Sequence, residues 1–372
     1  MTQDCMSAEG VTNAGMAKVR ASKAVIAVPN SGQVVFYNFL LRKAAFCSTD
    51  ALYWFTYLNE WTAFDKIVDD HPHLEGQTIR EELGKLVEIG LLNRENAKNT
   101  EFENQYIENW EWGLAAAIFH FSVQNGQFMN PAEAAKMQAD KAKIKPSPEL
   151  FWCNTQNSVT LPSRLDSPIE ELLELMSCRR TNRTLASPKI SLRQLSDCLY
   201  SGLGITGKVA TPHGYLPLSM TPSGGARNPY EAFILARNVE GLAPGFYHYS
   251  AMEHTLALTK EGIPNSPAEY LAKQEWADEM PAIIFLVAVL ERTMWKYPDP
   301  NAYRVLLIEA GHIGQNIMLA ASAHGLSACP TAALNHDLIS CALDLSNITH
   351  VPVYSLTLGV PGTYDAHIQM IN

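Results

Sequence analysis

Hydrophobic and polar positions along the chain divide it into segments of different character. The first 32 residues are small, polar and aperiodic, which predicts a frayed N-terminus. Residues 33–130 read as helical with aromatic clusters. Within them, residues 50–58 (Asp-Ala-Leu-Tyr-Trp-Phe-Thr-Tyr-Leu) hold more apolar side chains than one helix face can carry, so burial on several sides is expected. Ile79, Leu83, Leu86, Val87 and Leu91 then follow helical spacing, with Thr78 and Glu81 set as a capping box and Gly90 as the stop.

A short helix at 64–69 before this segment and a Leu-rich exit after it resemble a winged-helix unit, a pattern shared by small helical hairpins. Residues 131–168 carry several prolines, a Lys-rich patch and little periodicity, and read as a linker. Residues 169–372 alternate helices and strands. Helices are expected at 169–176, 192–203 and 303–323, and strands at 232–237, 245–249, 282–290 and 353–358. Strands interleaved with long helices give an α+β or α/β layer architecture.

Composition narrows the function. A length of 372 residues suits two domains, and 47% hydrophobic with 18% charged residues is the balance of a globular chain. The formal net charge of −10 speaks against a nucleic-acid partner. Between residues 60 and 112 five Lys/Arg face thirteen Asp/Glu, so a DNA-reading winged helix is disfavoured and a peptide clamp or dimer scaffold remains. No window holds the ~18 apolar residues of a membrane span. The seven Cys include no CxxC pair, which argues against a disulfide framework or Cys-based metal site. The expected compartment is the cytoplasm.

Three segments could carry chemistry. Arg179-Arg180-Thr181-Asn182-Arg183 offers planar cationic donors and a hydroxyl suited to phosphate, or else is a solvated basic helix end. Pro222-Ser-Gly-Gly-Ala-Arg-Asn-Pro-Tyr-Glu231 can bring backbone N–H groups close to a flat ligand, or is a tight turn before a strand. Glu309-Ala-Gly-His-Ile-Gly-Gln-Asn316 places Gly311 and Gly314 inside a helical pattern, which implies close approach of another element or a ligand. His312 reads as a core or interface residue, and His213 as a lesser candidate for substrate contact.

In this order the segments, together with Gly-Leu-Ala-Pro-Gly-Phe-Tyr-His-Tyr at 241–249, resemble the nitroreductase superfamily of FMN oxidoreductases. They are most similar to its SagB-type branch, the azoline dehydrogenases that mature ribosomal peptides. The resemblance covers about residues 169–361 and implies a central, mostly antiparallel sheet flanked by long helices, in an α+β fold.

By the same resemblance, Arg179, Thr181 and Arg183 hold the FMN phosphate. Ser223, Gly224 and Gly225 line the isoalloxazine, and Glu309 and Gly311 lie near its reactive edge. Trp295-Lys296-Tyr297-Pro298 matches the branch's Lys-Tyr pair, which implies acid–base roles for Lys296 and Tyr297 in azole formation, with hydride passing to flavin N5. A Lys desolvated beside the flavin is part of that expectation. The implied partners are a ribosomal precursor peptide, a second copy of the chain and cyclodehydratase proteins. The tail after Gly359 lacks the basic residues that nitroreductases often add at the phosphate. An NAD(P)H-dependent reductase of nitro compounds, quinones or enones, and a non-enzymatic flavin- or peptide-binding protein, stay open as alternatives.

Overall fold

A computed structural model of the chain describes residues 18–126, 131–144, 169–211 and 214–363. His213, much of the expected linker and most of the expected frayed N-terminus lie outside these residues. The chain divides into two compact units, 1–122 and 123–372.

The first unit runs β1 (Lys18–Ala21), β2 (Val25–Asn30), β3 (Gln33–Asn38), β4 (Lys43–Cys47), α1 (Asp50–Tyr57), β5 (Thr62–Ala63), α2 (Phe64–Asp70), α3 (Gly76–Glu88), β6 (Leu92–Arg94), α4 (Lys98–Asn109) and α5 (Gly113–Ser122). Sheet β5-β1-β6 and ribbon β2-β3-β4 are antiparallel.

The four strands before residue 50 correct the expectation of a frayed start followed by helix. In β3, Val34, Phe36 and Asn38 are buried while Val35 and Tyr37 are half-exposed. The period is therefore two, but apolar residues on both faces hide it in the sequence. Helix α3 also begins earlier than expected. Its N-cap is Glu75, without a side-chain cap bond, and Thr78 lies inside the helix. Gly90, at φ 81°, ends it, because a Cβ there would stand 2.5 Å from Leu41 Cδ1. The core of this unit gathers Val19, Trp54, Leu58, Ile67, Ile79 and Leu83.

The second unit runs α6 (Pro131–Ile144), α7 (Glu170–Cys178), β7 (Leu185–Ser187), α8 (Leu192–Leu203), β8 (Ile205–Thr211), β9 (Gly214–Ser219), β10 (Tyr230–Ala236), β11 (Gly245–Ser250), β12 (Thr255–Glu261), α9 (Pro267–Tyr270), β13 (Ala282–Val289), α10 (Leu290–Met294), α11 (Ala302–Ala323), β14 (Ser327–Thr331), α12 (His336–Leu343) and β15 (His350–Pro361). Seven strands form one antiparallel sheet in the order β12-β11-β10-β13-β15-β14, with β7 also on β15.

This is the expected α+β architecture, and the antiparallel pairing removes the α/β alternative. Every residue of β13 is buried, as its unbroken apolar run requires of a central strand. Phe285 on β13 faces Phe233 on β10 within a core that includes Phe246, Tyr270 and Ile339. Helix α8 opens on a capping box from Ser191 and Gln194. It lies close against α11, and a Cβ at Gly202 would come within 2.7 Å of Ile317 Cγ1. Among the described residues no helix is long and apolar enough to cross a membrane.

Candidate active site

Helix α7 ends at Cys178, and the next five residues form the basic loop. Its fixed point is Asn182, which is buried. The Asn182 backbone N–H donates to Ser327 Oγ at 2.8 Å, and its Nδ2 donates to Gly362 O at 3.0 Å. Its Oδ1 accepts from Thr184 N and Thr184 Oγ1 at 2.9 and 2.7 Å. Its carbonyl accepts from Cys329 Sγ at 2.8 Å and Ser327 Oγ at 3.1 Å. These bonds clamp the loop to β14.

Arg180 turns back on its own helix end, with Nη1 donating to Ser177 O and Arg179 O at 2.6 and 2.8 Å. Arg183 is exposed and lies 5.2 Å over the Trp276 ring. Arg179 and Arg183 enter no ion pair among the described residues. Their charge is still felt nearby. Burial pushes the Cys329 thiol up and Arg183 pulls it back, and Arg179 does the same to Tyr354 on β15. Thr181, which lies between the two arginines in sequence, is half-buried.

The second group surrounds Gly224 and Gly225, which open a single 3-10 turn after Ser223. Gly225 has φ 63°, a left-handed conformation that favours glycine. A Cβ there would also strike Tyr297 Oη at 2.4 Å and Lys296 Nζ at 2.7 Å. The turn thus lies directly under the Lys-Tyr pair, and Lys296 Nζ donates to Gly225 O at 3.2 Å. On the other side Gly224 N donates to Glu309 Oε2 at 3.2 Å. Glu309 is only 5% exposed, and burial raises its carboxyl above the ordinary 4.5, against hydrogen bonds from Ser223 and Gly224 that favour its charged form.

Residues to which the sequence assigned no role hold this turn in place. Asn228 N donates to Ser223 Oγ at 2.8 Å, and Asn228 Oδ1 accepts from Ser219 Oγ at 2.9 Å. Arg292 Nη1 donates to Asn228 O at 2.8 Å, and its Nη2 pairs with Glu231. Arg227 Nε donates to Arg292 O at 3.1 Å, and its guanidinium lies 4.8 Å over the Trp295 ring. His248 Nε2 and Glu231 Oε2 are 2.8 Å apart. Glu231 and His248 lay inside recognised motifs, but only folding joins positions so far apart in sequence.

The structure brings Ser223, Gly224, Gly225, Lys296, Tyr297 and Glu309 together, while Arg179, Thr181 and Arg183 share the basic loop after α7. It separates Glu309 from Gly311. Two residues apart on α11, they face opposite ways. Gly311 is exposed and a Cβ there would meet nothing, whereas at Gly314 a Cβ would stand 2.5 Å from Tyr354 Cε1. Lys296 is exposed, so the expected desolvation is not supplied within one chain.

Residues 176–360 match the Nitroreductase family. This part of the chain belongs to that family. Its members are oxidoreductases that typically bind flavin. A Methanocaldococcus jannaschii protein named as a nitroreductase is 28% identical over 194 residues, covering 51% of this chain and 92% of that protein. Trifolitoxin-processing protein TfxB of Rhizobium leguminosarum bv. trifolii is 31% identical over 133 residues, covering 33% of this chain and 35% of TfxB. Among solved structures, the E. coli microcin synthetase McbBCD complex with truncated pro-MccB17 bound is similar at 21% identity and a TM-score of 0.48. That match covers 64% of this chain and 85% of the other.

Proposed function

We propose that the chain is an FMN-dependent dehydrogenase that oxidises thiazoline or oxazoline rings to azoles in a ribosomally synthesised peptide. The observation that carries this reading is Lys296 and Tyr297 seated on Gly225, the opposite face of whose turn is bonded to the buried Glu309. The likeness to a trifolitoxin-processing protein supports a peptide as substrate.

The residues present fit FMN. Arg179 and Arg183 enter no ion pair among the described residues, and Thr181 adds a hydroxyl two residues from each, a donor set that suits a phosphate. The Gly224–Gly225 turn carries no side chain, so a flat ring can come close to its backbone where Lys296, Tyr297 and Val305 leave it open. When bound, FMN supplies a two-electron hydride acceptor.

The chain's own groups do the rest. The Lys296 amine, once deprotonated, takes a proton from carbon, and the Tyr297 hydroxyl beside it donates or relays one. The Arg227–Trp295 stack and the Arg227–Arg292 bond hold that segment against the glycine turn.

A homodimer with FMN at the subunit interface completes the reading. On α11, Val305 and Ile308 are 41% and 52% exposed, and Val305 borders Gly224. A second copy over this face would shield apolar surface and exclude water near Lys296. The first unit serves as a peptide clamp. The outer edge of β4 has no partner strand among the described residues, so an extended peptide can add there. Most acidic residues of the unit lie on its helices, whereas the ribbon residues 25–47 carry Arg42 and Lys43 and no Asp or Glu. Cyclodehydratase proteins that make the azoline are the expected partners. The match across most of a nitroreductase-named protein favours, as second reading, an NAD(P)H-dependent reductase of nitro compounds, quinones or enones.

The test is to mix FMN-loaded protein anaerobically with an azoline-bearing peptide. Flavin bleaching with loss of two hydrogens from the peptide is expected, and Lys296→Ala should retain FMN yet bleach about 100-fold more slowly. Bleaching by NAD(P)H alone, with the peptide inert, would move the reading to the reductase.

A further inference from the structure

Behind the glycine turn lies a cavity of about 300 Å³. Glu309, Thr221 and Asn228 line it near the turn, and Glu231, His248 and Arg292 line it elsewhere. Lys296, Tyr297 and Gly225 do not line it, so it is a compartment apart from the face they form. Its volume suits roughly ten waters at about 30 Å³ each, and beside an apolar wall that includes Leu203, Ile205 and Ile313 it presents Thr221, Asn228, Glu231, His248 and Glu309 as polar partners for them.

Glu309 and the His248–Glu231–Arg292 cluster differ in their access to solvent. The Glu309 carboxyl is 5% exposed and is held by Gly224 N. The side chains of His248, Glu231 and Arg292 are 33%, 24% and 38% exposed. One cavity therefore touches both a buried carboxyl beside the proposed site and a titratable dyad open to water. Tyr230 also faces Glu309, but burial pushes its phenol up and it stays neutral. Glu231 and Arg292 face His248, with Glu291 and His350 beyond them.

We propose that Glu309 exchanges its proton with solvent through this cavity by way of His248, which gives the chain an internal proton route behind the glycine turn. The use of the route in turnover rests on the dehydrogenase reading above. Oxidation of an azoline removes a hydride, which the cofactor accepts, and a proton, which is held or exchanged until reoxidation. Reoxidation by dioxygen takes the hydride and one proton to form hydrogen peroxide. His248 acts through Glu309 and is a positioning residue in this scheme.

The test reads the carboxyl itself. The infrared C=O band of protonated Glu309 is identified by its absence in Glu309→Gln, and its shift is timed after transfer of the full-length holoprotein into D2O. His248→Gln keeps a hydrogen bond to Glu231 but cannot carry a proton by titration. It should slow the exchange about tenfold or more, and added imidazole should restore it. If that variant does not fold, Ile205→Phe, which fills the cavity, should slow exchange in the same way. Exchange as fast as in the parent protein, no rescue by imidazole, or no Glu309-dependent band at any pH where the chain is folded would each overturn the proposal. None of these outcomes depends on the peptide, so failure of the dehydrogenase reading would show separately, as an inert azoline substrate.

Discussion

Arg179 and Arg183 enter no ion pair among the described residues, while the loop that carries them is fixed chiefly by Asn182 through bonds to Ser327, Cys329, Gly362 and Thr184. Around Gly224 and Gly225 the division of labour is reversed. There Ser223, Asn228, Arg227, Arg292 and Glu231 spend their polar atoms on one another, and the backbone itself forms the surface under Lys296 and Tyr297. A loop built to grip a charged group keeps donors free and anchors elsewhere, whereas a loop built to admit a flat group closely removes side chains and braces its backbone.

That contrast can be broken from either side. The largest effect is expected from replacing Arg179 and Arg183 together by Ala. Loss of two charge-assisted contacts should weaken FMN binding by about 10²–10⁴-fold, while the thermal midpoint of the flavin-free chain stays unchanged. Titration of the variant with FMN beside a melting curve checks both halves. Asn182→Ala should do the opposite, costing about 2–3 kcal/mol of stability through the buried partners it leaves unpaired, even without cofactor. Denaturant unfolding measures this, and an unchanged midpoint would deny Asn182 its anchoring role.

Gly225→Ala should cost about 1–2 kcal/mol from the left-handed backbone, and should displace Tyr297 and Lys296. FMN retention with slower reduction by substrate is the expected signature. The smallest effect concerns pH. Because burial raises the Glu309 carboxyl, the folded chain holds that proton more tightly than the unfolded chain does. Its contribution to stability is full below the ordinary 4.5 and is lost as pH rises through the raised value. Unfolding curves on either side of that window should show the slope in the parent protein and not in Glu309→Gln.

Much of the second unit was legible because its elements are internally consistent. Residues 282–289 form an unbroken apolar run that only a central strand accommodates, and residues 302–323 hold a long helical period. The first unit was harder to read. Its ribbon carries apolar residues on both faces, so the strand period vanishes, and a segment with Thr and Glu at capping spacing turned out to lie inside a helix that starts at Gly76.

For the candidate site, motif residues were legible but their grouping was not. Helix geometry sets Glu309 and Gly311 on opposite faces, which adjacency in a motif conceals. The bracing set of Arg227, Asn228, Glu231, His248 and Arg292 is joined across distant strands and helices, and local sequence carries no signal for such pairing.

The most direct test of the account is the absorbance spectrum of the purified protein, with the flavin identified after heat release. Flavin bands with one FMN per chain, lost in the Arg179→Ala and Arg183→Ala double variant, are the predicted result. A colourless protein that cannot be reconstituted with FMN would contradict it, leaving the basic loop as surface charge.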